Sequence, residues 1–200
     1  MIRIATEADV PAMLAIYAPY IENTTITFEY HVPSEEEFRT RFRDITAQFP
    51  WLVWEEEGKV LGYAYGSAPF ARDAYRWCAE DSVYLLPEAQ GRGIGTKLCL
   101  ALEKVLFYQG YRRIYALITA ENESSIRFHQ KMGYETTAEF PNCGFKFNRW
   151  LGLIWMEKRI TPIGLNQYGC NAKDEAVLLG YYEYVSGRVA LPQDISSAEK

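Results

Sequence analysis

The segment Cys78-Ala-Glu-Asp-Ser-Val-Tyr-Leu-Leu-Pro-Glu-Ala-Gln-Gly-Arg-Gly-Ile-Gly95 organises the rest of the chain. Ser82–Leu86 is a short, mostly apolar run, which predicts a strand covered on both faces. Pro87 ends that strand, because proline cannot donate a hydrogen bond to a sheet ladder. Glycines follow at positions 91, 93 and 95, and apolar residues then recur at helical spacing to Gln109. The segment therefore predicts a strand, a glycine turn and a helix, and the free N–H groups at a helix start suit an anion such as phosphate.

Three kinds of phosphate-binding glycine loop compete for this segment, and their spacing separates them. A Walker A loop requires Gly-Lys-Ser/Thr, whereas this chain has Gly95-Thr-Lys. A dinucleotide-binding fingerprint requires G-x-G-x-x-G and an acidic residue about 20 positions later, but the next predicted strand, 112–119, ends without an acid. The remaining pattern is Gln-x-x-Gly-x-Gly after a strand, formed here by Gln90, Gly93 and Gly95. A glycine turn without a ligand is the alternative.

Composition narrows the class of protein. The chain has 200 residues, of which 48% are hydrophobic, and this predicts one globular domain with a sizeable core. The net charge of −5 and the lack of a basic block argue against nucleic acid as a partner. No apolar run approaches the ~20 residues of a membrane span, and the first residues lack a signal-peptide core, so we expect a cytoplasmic protein without a membrane partner. The four cysteines include no C-x-x-C pair, which predicts neither a metal site nor a redox pair.

The first third of the chain predicts a strand, two helices and a hairpin. The strand at 2–5 is followed by a helix capped by Thr6. Ser34 and Glu37 form a capping box for the second helix. The residues between these helices, 22–33, form an extended loop, a common place for substrate contacts. The two strands that follow are joined by a hairpin turn at 56–59.

The rest of the chain predicts helices and strands in alternation. A strand at 112–119 follows the helix of the organising segment, with Gly110 as its C-terminal cap. Asn122 caps a short helix that ends before Gly133. Two closing strands, 134–140 and 150–158, are then joined by a turn at Pro-Asn-Cys-Gly, 141–144.

The last 40 residues differ in character from the rest. We expect the main domain to cover 1–160 and a C-terminal extension to cover 161–200, with a helix at 174–185 and a polar, mobile tail at 192–200. The extension is too short for a core of its own, so we expect it to pack on the main domain or on a partner subunit.

These motifs resemble the GNAT N-acetyltransferases, which use acetyl-CoA. The glycine motif is similar to their pyrophosphate-binding motif, and the likeness covers about residues 1–160. Segments 75–84, 122–129 and 140–150 are similar to the branch that acetylates phosphinothricin and methionine sulfoximine. The resemblance implies an α/β (α+β) fold with a central, mixed, mostly antiparallel, twisted sheet flanked by helices. It also implies acetyl-CoA as co-substrate, no metal, a small-molecule amine as substrate and a homodimer.

The resemblance also implies where the parts of acetyl-CoA bind. Exposed strand backbone would line the pantetheine arm at Val83, Tyr84 and Leu85. The pyrophosphate would be held by the glycine turn and the first turn of its helix, at Gln90, Gly91, Arg92, Gly93, Ile94, Gly95 and Thr96. Asn122 would contact the cofactor further along.

Acetyl transfer to an amine needs a base, an oxyanion donor and a proton for the leaving thiolate. By the resemblance Glu80 is the general base, although its ordinary pKa of about 4.3 must be raised by burial for this task. The alternative is a surface glutamate at a strand start. His129 falls on the general-acid position, and the alternative is a structural histidine at the core edge. The N–H of Leu85 is the candidate oxyanion donor, if a bulge leaves it unpaired.

Four residues are candidates for contact with the amine substrate, and a fifth, Lys146, is weighed between this pocket and a dimer contact. A substrate with a carboxylate favours an arginine, and Arg72 lies just ahead of the organising strand, although a solvated loop charge is the alternative. Tyr75 and Phe28 could form the walls of a side-chain pocket. Glu29 is a second acidic candidate in the 22–33 loop. Lys146 could serve the same pocket or a dimer contact.

The sequence thus predicts an N-acetyltransferase that acts on the α-amine of a small amino-acid-like substrate by direct attack in a ternary complex. One rival is a GNAT enzyme for protein N-termini or polyamines, but the 22–33 loop offers only Glu22 and Glu29 to a polyamine. The other rival is a CoA-binding sensor without turnover. The joint presence of Glu80, His129 and the glycine turn argues against a sensor.

Overall fold

The computed structural model describes residues 1–160. Its strands are β1 Ile2–Ile4, β2 Trp51–Glu56, β3 Lys59–Ser67, β4 Cys78–Leu85, β5 Arg113–Thr119, β6 Glu135–Lys146 and β7 Arg149–Arg159. Its helices are α1 Val10–Asn23, α2 Glu35–Thr46, α3 Ile94–Tyr108 and α4 Glu123–Lys131. This order of helices and strands confirms the prediction. The helix expected at 174–185 and the tail at 192–200 lie outside the described residues.

The described strands form one sheet in the order β1-β2-β3-β4-β5-β7-β6. All neighbouring pairs are antiparallel except β4 and β5, which confirms a mixed, mostly antiparallel sheet. The parallel β4–β5 ladder covers only the pairs from Cys78–Arg113 to Glu80–Tyr115. Beyond Glu80, β4 stays paired with β3 as far as Leu85 but is not paired with β5. A gap therefore opens between β4 and β5 in the middle of the sheet.

Helices cover the two faces of the sheet and make two cores. The α1/α2 face buries Phe38 and Phe42 of α2 against Trp51 and Tyr63 of the sheet. On the α3/α4 face, α3 buries an apolar stripe that includes Leu98, Leu102 and Leu106. Because side chains alternate along a strand, β4 sends Glu80, Ser82 and Tyr84 to the α1/α2 face, and Ala79, Asp81 and Val83 to the α3/α4 face.

Local capping signals were predicted correctly for α2 and α4. The Ser34 hydroxyl accepts from the Glu37 N–H (3.3 Å), and the Glu37 carboxylate accepts from the Ser34 N–H (2.7 Å), so the capping box is confirmed. Asn122 Oδ1 accepts from the Ser125 N–H (3.2 Å) at the start of α4. Thr6 instead precedes a single 3₁₀ turn, Glu7–Asp9, and α1 begins only at Val10.

The turn predicted at 141–144 was wrong. Strand β6 runs through these residues to Lys146, with a register shift between Phe140 and Gly144, so they form a bulge. The hairpin turn is at Phe147-Asn148, where both residues have positive φ (50° and 59°), as a two-residue type I′ turn requires. Pro141 is tolerated within β6 because this strand lies at the edge of the sheet.

Candidate active site

The glycine turn leads directly into α3 and leaves backbone N–H groups free. Gly91 and Gly93 have φ of +71° and +75°, and a Cβ at either position would meet nothing within 4 Å. The earliest N–H of α3 with a partner in the helix is that of Lys97, which donates to the Gly93 carbonyl (3.1 Å). The N–H groups of residues 94–96 therefore have no partner within the helix. This is the cradle that a phosphate group requires.

The end of β4, the start of α3 and the middle of α4 meet beside the gap. A Cβ built on Gly95 would lie 3.5 Å from Leu85 and 3.8 Å from the Phe128 ring. The Leu86 N–H donates to the Leu61 carbonyl of β3 (2.9 Å). Because hydrogen-bonding direction alternates along an antiparallel strand, the N–H and C=O of Leu85 point away from β3 and into the gap. The Leu85 carbonyl accepts from the Tyr20 hydroxyl (2.6 Å).

No bulge orients Leu85, although a bulge was the condition for an unpaired N–H at this position in the sequence. The β3–β4 register is unbroken from Gly62–Leu85 to Ser67–Glu80. The Leu85 N–H faces the gap because β5 has separated from β4. Exposed strand backbone at positions 83 and 85 follows from the same separation.

Side chains around the glycine turn are held by neighbouring strands and by α1. The Arg92 guanidinium binds both oxygens of Glu56 on β2 (2.8 and 3.0 Å). Gln90 Nε2 donates to the Tyr20 hydroxyl (3.3 Å), and Lys97 Nζ lies 5.2 Å from the centre of the Trp54 ring. Thr96 is exposed in the first turn of α3. These residues fit the diphosphate of acetyl-CoA, with backbone N–H groups as ligands and two cations nearby.

Glu80 lies where the gap begins, opposite Tyr115. Its carboxylate is partly buried and makes no hydrogen bond or ion pair with any residue from 1 to 160. Burial, together with the neighbouring Asp81 carboxylate, raises the pKa of Glu80 to about 7. A carboxylate with this pKa can accept a proton efficiently at neutral pH.

His129 and Glu80 are not brought together, because His129 lies on the α3/α4 face and is only 4% exposed. Its Nε2 is 3.6 Å from Asp81 Oδ2, and its Nδ1 is 2.8 Å from the Ser125 carbonyl. Burial lowers the pKa of His129, but the hydrogen bond and charge of Asp81 and the Ser125 carbonyl raise it more, so the net shift is upward. Tyr134 donates its hydroxyl to Asp81 Oδ2 (3.2 Å).

Sequence reasoning missed Asp81. The available signal was a second carboxylate directly after Glu80 in a predicted strand, where alternation sends the two side chains to opposite faces. Its Oδ1 is buried and has no hydrogen-bond partner among the described residues.

The loop between α1 and α2 carries Phe28 and Glu29 over the α1/α2 face. Glu29 accepts from the Arg41 guanidinium (2.7 Å) and from the Tyr17 hydroxyl (3.0 Å). Phe28 packs so closely on β6 that a Cβ at Gly144 would lie 2.3 Å from its ring. Sequence reasoning missed Arg41 as the partner of Glu29, because this pairing needs α2 to fold back over the loop.

Arg72 and Tyr75 lie in the exposed connection between β3 and β4. The Arg72 side chain makes no hydrogen bond or ion pair within the described part of the chain. The Tyr75 ring is 4.5 Å from Phe70, which in turn lies 5.9 Å from Tyr115 and 5.4 Å from Trp155. Tyr75 therefore extends an aromatic cluster on the face that carries Glu80.

Asn122 lines an open cavity of about 360 Å³ at the start of α4. The other walls come from the end of α1 and the loop after it, from the β5–α4 connection and from the β6–β7 hairpin, at Asn23, Thr24, Thr25, Ile26, Glu121, Phe147 and Arg149. Arg149 and Glu121 are joined by two hydrogen bonds across this cavity. Asn122 is thus accessible, although its Oδ1 is already engaged with Ser124 and Ser125.

Comparison with known proteins decides the family. A model of the acetyltransferase (GNAT) domain matches residues 2–182. The chain belongs to the GNAT acetyltransferases. It is therefore an N-acetyltransferase, and the match continues beyond residue 160, where the sequence had suggested a boundary.

Curated relatives carry the names of the branch suggested by the motifs. A phosphinothricin N-acetyltransferase of Alcaligenes faecalis is 36% identical over 162 residues, 80% of this chain and 82% of that protein. An L-methionine sulfoximine/L-methionine sulfone acetyltransferase of Pseudomonas paraeruginosa is 37% identical, covering 80% of this chain and 95% of that protein. A phosphinothricin acetyltransferase of Sinorhizobium meliloti, solved in complex with acetyl-CoA, is 36% identical with a TM-score of 0.80 and covers 86% of this chain and 96% of that one. These matches confirm the predicted family, branch resemblance and fold.

Two further features of the described residues concern membranes and metal ions. Within residues 1–160, no helix is both long enough and apolar enough to cross a membrane. The same residues contain no group of three or more His, Cys, Asp or Glu side chains arranged to hold a metal ion.

Proposed function

We propose that this GNAT enzyme transfers the acetyl group of acetyl-CoA to the α-amine of a small amino-acid-like substrate. The substrate is of the phosphinothricin, methionine sulfoximine or methionine sulfone type. Support comes from the names of the relatives and from the residues around the β4–β5 gap. The observation that carries the proposal is Glu80, a partly buried carboxylate without a partner in residues 1–160 and with a pKa of about 7 where the gap begins.

Each component of the reaction has a candidate residue. The Glu80 carboxylate accepts a proton from the substrate ammonium, either directly or through water, because only the neutral amine is a nucleophile. The Leu85 N–H, which points into the gap, stabilises the oxyanion formed when the amine attacks the thioester. The N–H groups of residues 91–96 hold the pyrophosphate, with Gln90 and Arg92 beside them. Strand residues 83–85 bind the pantetheine arm, and Asn122 contacts the cofactor further along.

His129 is the proposed proton donor for the leaving thiolate. Asp81 and the Ser125 carbonyl raise its pKa, and this favours the protonated imidazole that a proton donor requires. Its neighbour Phe128 packs against Gly95, so α4 lies beside the start of α3. We propose direct attack in a ternary complex, without an acetyl-enzyme.

The substrate side of the site is the α1/α2 face. Tyr75 and Phe28 form walls for the substrate side chain, and Arg72 is the candidate for its carboxylate. Glu29 is held by Arg41 and Tyr17, so it shapes the pocket as part of an ion pair. The boundary between a domain at 1–160 and an extension at 161–200 remains a proposal.

We also propose a homodimer. The β6–β7 hairpin and the adjacent loop expose large apolar side chains: Tyr30, Phe140, Phe145, Phe147 and Trp150. Trp150 alone is 63% exposed. Exposed large apolar side chains concentrated on one hairpin and its neighbouring loop are typical of an interface. Light scattering of the full chain tests this, and a monomer at all concentrations contradicts it.

The first experiment is CoA release from acetyl-CoA with a panel of amines. The panel consists of free amino acids, including phosphinothricin, methionine sulfoximine and methionine sulfone, together with peptides and polyamines. Glu80→Gln and His129→Ala are assayed alongside the wild-type enzyme. Turnover on one panel member that is lost in Glu80→Gln, at unchanged acetyl-CoA affinity, supports the proposal. Turnover only on peptides or polyamines contradicts the proposed substrate class. Tight acetyl-CoA binding without turnover on any amine favours the sensor.

A further inference from the structure

Lys146 of β6 is a buried cation without a carboxylate partner. Its side chain is 2% exposed, and its Nζ donates to the backbone carbonyls of Ile21 (2.7 Å), Thr24 (2.9 Å) and Thr27 (2.8 Å). Within residues 1–160 it forms no ion pair. An ammonium group has three N–H donors, and each of them is used here.

The three carbonyls offset the cost of burying this charge. Ile21 belongs to the last turn of α1, where carbonyls have no partner within the helix and the helix dipole is negative. Burial lowers the pKa of Lys146, and the negative charge of Glu29 opposes that shift. A neutral amine has only two N–H groups for three acceptors, so the geometry requires the charged form. The ammonium therefore caps α1 and fixes the first residues of the following loop.

That loop, Thr24–Tyr30, crosses the β4–β5 gap on the face that carries Glu80. On the β4 side, the Tyr17 ring lies 4.7 Å from Tyr84, and the Tyr17 hydroxyl is 2.8 Å from Thr27 Oγ1. On the β5 side, Thr119 Oγ1 donates to the Thr25 carbonyl (2.6 Å). Tyr84 and Thr119 each lie four residues from the Glu80–Tyr115 pair, so they share its face.

The β6–β7 hairpin holds the same loop at two further places. Phe28 packs on Gly144, where any side chain would collide with its ring at 2.3 Å. The Tyr30 hydroxyl donates to the Phe145 carbonyl. Gly144 and Lys146, which alternate along β6, thus hold the loop by packing and by charge. Lys146 and Ile21 are 125 residues apart in the sequence.

We propose that Lys146 is a positioning residue that fixes Thr24–Tyr30 as a wall of the amine pocket. It sets the affinity for the amine through the loop and leaves the glycine turn, where the pyrophosphate of acetyl-CoA is proposed to bind, unchanged. Direct contact of Lys146 with substrate is not part of this role, because all three of its N–H groups are engaged. The effect on amine kinetics rests on the proposed function, whereas the effect of Lys146 on the order of the loop does not depend on it.

The test compares wild-type enzyme with Lys146→Met, which keeps most of the apolar stem and removes the ammonium. Lys131→Met, at an exposed position of α4, removes an equal charge as a control. Hydrogen–deuterium exchange is measured on peptides from residues 24–30 and from α3, and steady-state kinetics give KM for each substrate. We expect faster exchange at 24–30 only, and a fall of about 10- to 100-fold in kcat/KM for the amine, as typical of a displaced positioning group. The KM for acetyl-CoA should stay within about twofold of wild type, because most of its proposed contacts are on the glycine turn and the edge of β4, outside this loop.

Unchanged exchange at 24–30, or unchanged kinetics with the amine despite faster exchange, overturns the proposal. Gly144→Ala is the second variant, in case Lys146→Met does not fold. It displaces Phe28 from the hairpin and keeps the charge of Lys146, and we expect the same fall in kcat/KM for the amine. If the wild-type enzyme acetylates no amine on the panel, the proposed function fails. The exchange experiment still decides whether Lys146 orders the loop.

Discussion

Glu80 of β4 and Tyr115 of β5 form the last residue pair before these two strands separate. The pair places a carboxylate and an aromatic ring side by side on one face of the sheet, at the closed end of the gap. Burial there raises the pKa of Glu80, and further along β4 the edge that β5 leaves unpaired directs the Leu85 N–H into the gap. The candidate base and the candidate oxyanion donor therefore arise from one break in the sheet.

Replacement of Glu80 by Gln keeps the shape of the side chain and removes the base. We expect kcat/KM for the amine to fall by about 10²- to 10⁴-fold, the usual contribution of a positioned general base. Acetyl-CoA affinity, measured by calorimetry, should not change, because Glu80 lies apart from the glycine turn. Glu139→Gln, an exposed position on β6, is the control. A Glu80→Gln enzyme with full activity would assign the base elsewhere.

The pKa of Glu80 predicts the pH profile of the enzyme. The base is active when deprotonated, so kcat/KM should rise with pH and level off above about 7.

The contribution of Glu80 to the free energy of unfolding should change with pH in the opposite sense. The folded-state pKa lies above the ordinary value, so protonated Glu80 stabilises the fold at low pH, and this contribution is lost as pH rises through about 7. Urea unfolding should therefore show wild type losing stability relative to Glu80→Gln over that range, and parallel curves would contradict the shift.

The Asp81–His129 pair predicts a different pH dependence of stability. The pKa of His129 is raised in the folded protein, so its protonated form stabilises the fold. That contribution is fully present below the ordinary pKa of about 6.5 and is lost as pH rises through the folded-state value. Asp81→Asn should lower the free energy of unfolding by about 3 kcal/mol at pH 6, as for a broken buried ion pair.

The deficit of Asp81→Asn should be smaller at pH 9 than at pH 6, because wild-type His129 loses its charge as pH rises through its folded-state pKa. Urea unfolding of both proteins at the two pH values measures this. A deficit that is the same at pH 6 and pH 9 would show that Asp81 acts without the charge of His129. Activity lost in His129→Ala but retained in Asp81→Asn would separate the proposed proton donor from its partner.

Gly91 and Gly58 provide a matched pair for the anion site. Both have positive φ, +71° and +76°, and both have open space where a Cβ would be. Alanine at either position carries a similar backbone strain, of about 1 kcal/mol or more. Only Gly91→Ala should weaken acetyl-CoA binding, by about tenfold, because its N–H lies in the proposed pyrophosphate cradle. Equal binding by the two variants in calorimetry would place the diphosphate elsewhere.

The features predicted correctly from sequence are those that local chemistry determines. The capping box at Ser34 and Glu37 lies within four residues, and the glycine turn needs only backbone freedom and a following helix. The turn at 141–144 was mistaken because Pro, Asn and Gly suit a bulge at an edge strand as well as they suit a turn. Phe147-Asn148 carries a weaker turn signal, although it forms the tight turn.

The features that sequence did not reveal depend on residues far apart in the chain. Lys146 and Ile21 are 125 residues apart, and no local pattern indicates that a lysine will be buried on helix carbonyls. Asp81 is charged and follows another acid, so only its position on the α3/α4 face identifies it as the partner of His129. The sequence likewise did not reveal that Glu80 and His129 lie on opposite faces of the sheet, because that placement depends on where α4 packs.

The short ladder between β4 and β5 divides the described sheet into two parts, β1–β4 and β5–β7. The two parts are paired through residues Cys78–Glu80 of β4. A ligand that pairs its amides with the open edge of β4 completes backbone hydrogen bonding that the protein itself leaves incomplete. Binding then joins the two parts of the sheet, so the melting temperature of the protein should be higher with the ligand bound than without it. While it is bound, acetyl-CoA would therefore take the place of a neighbouring strand at the open edge of β4.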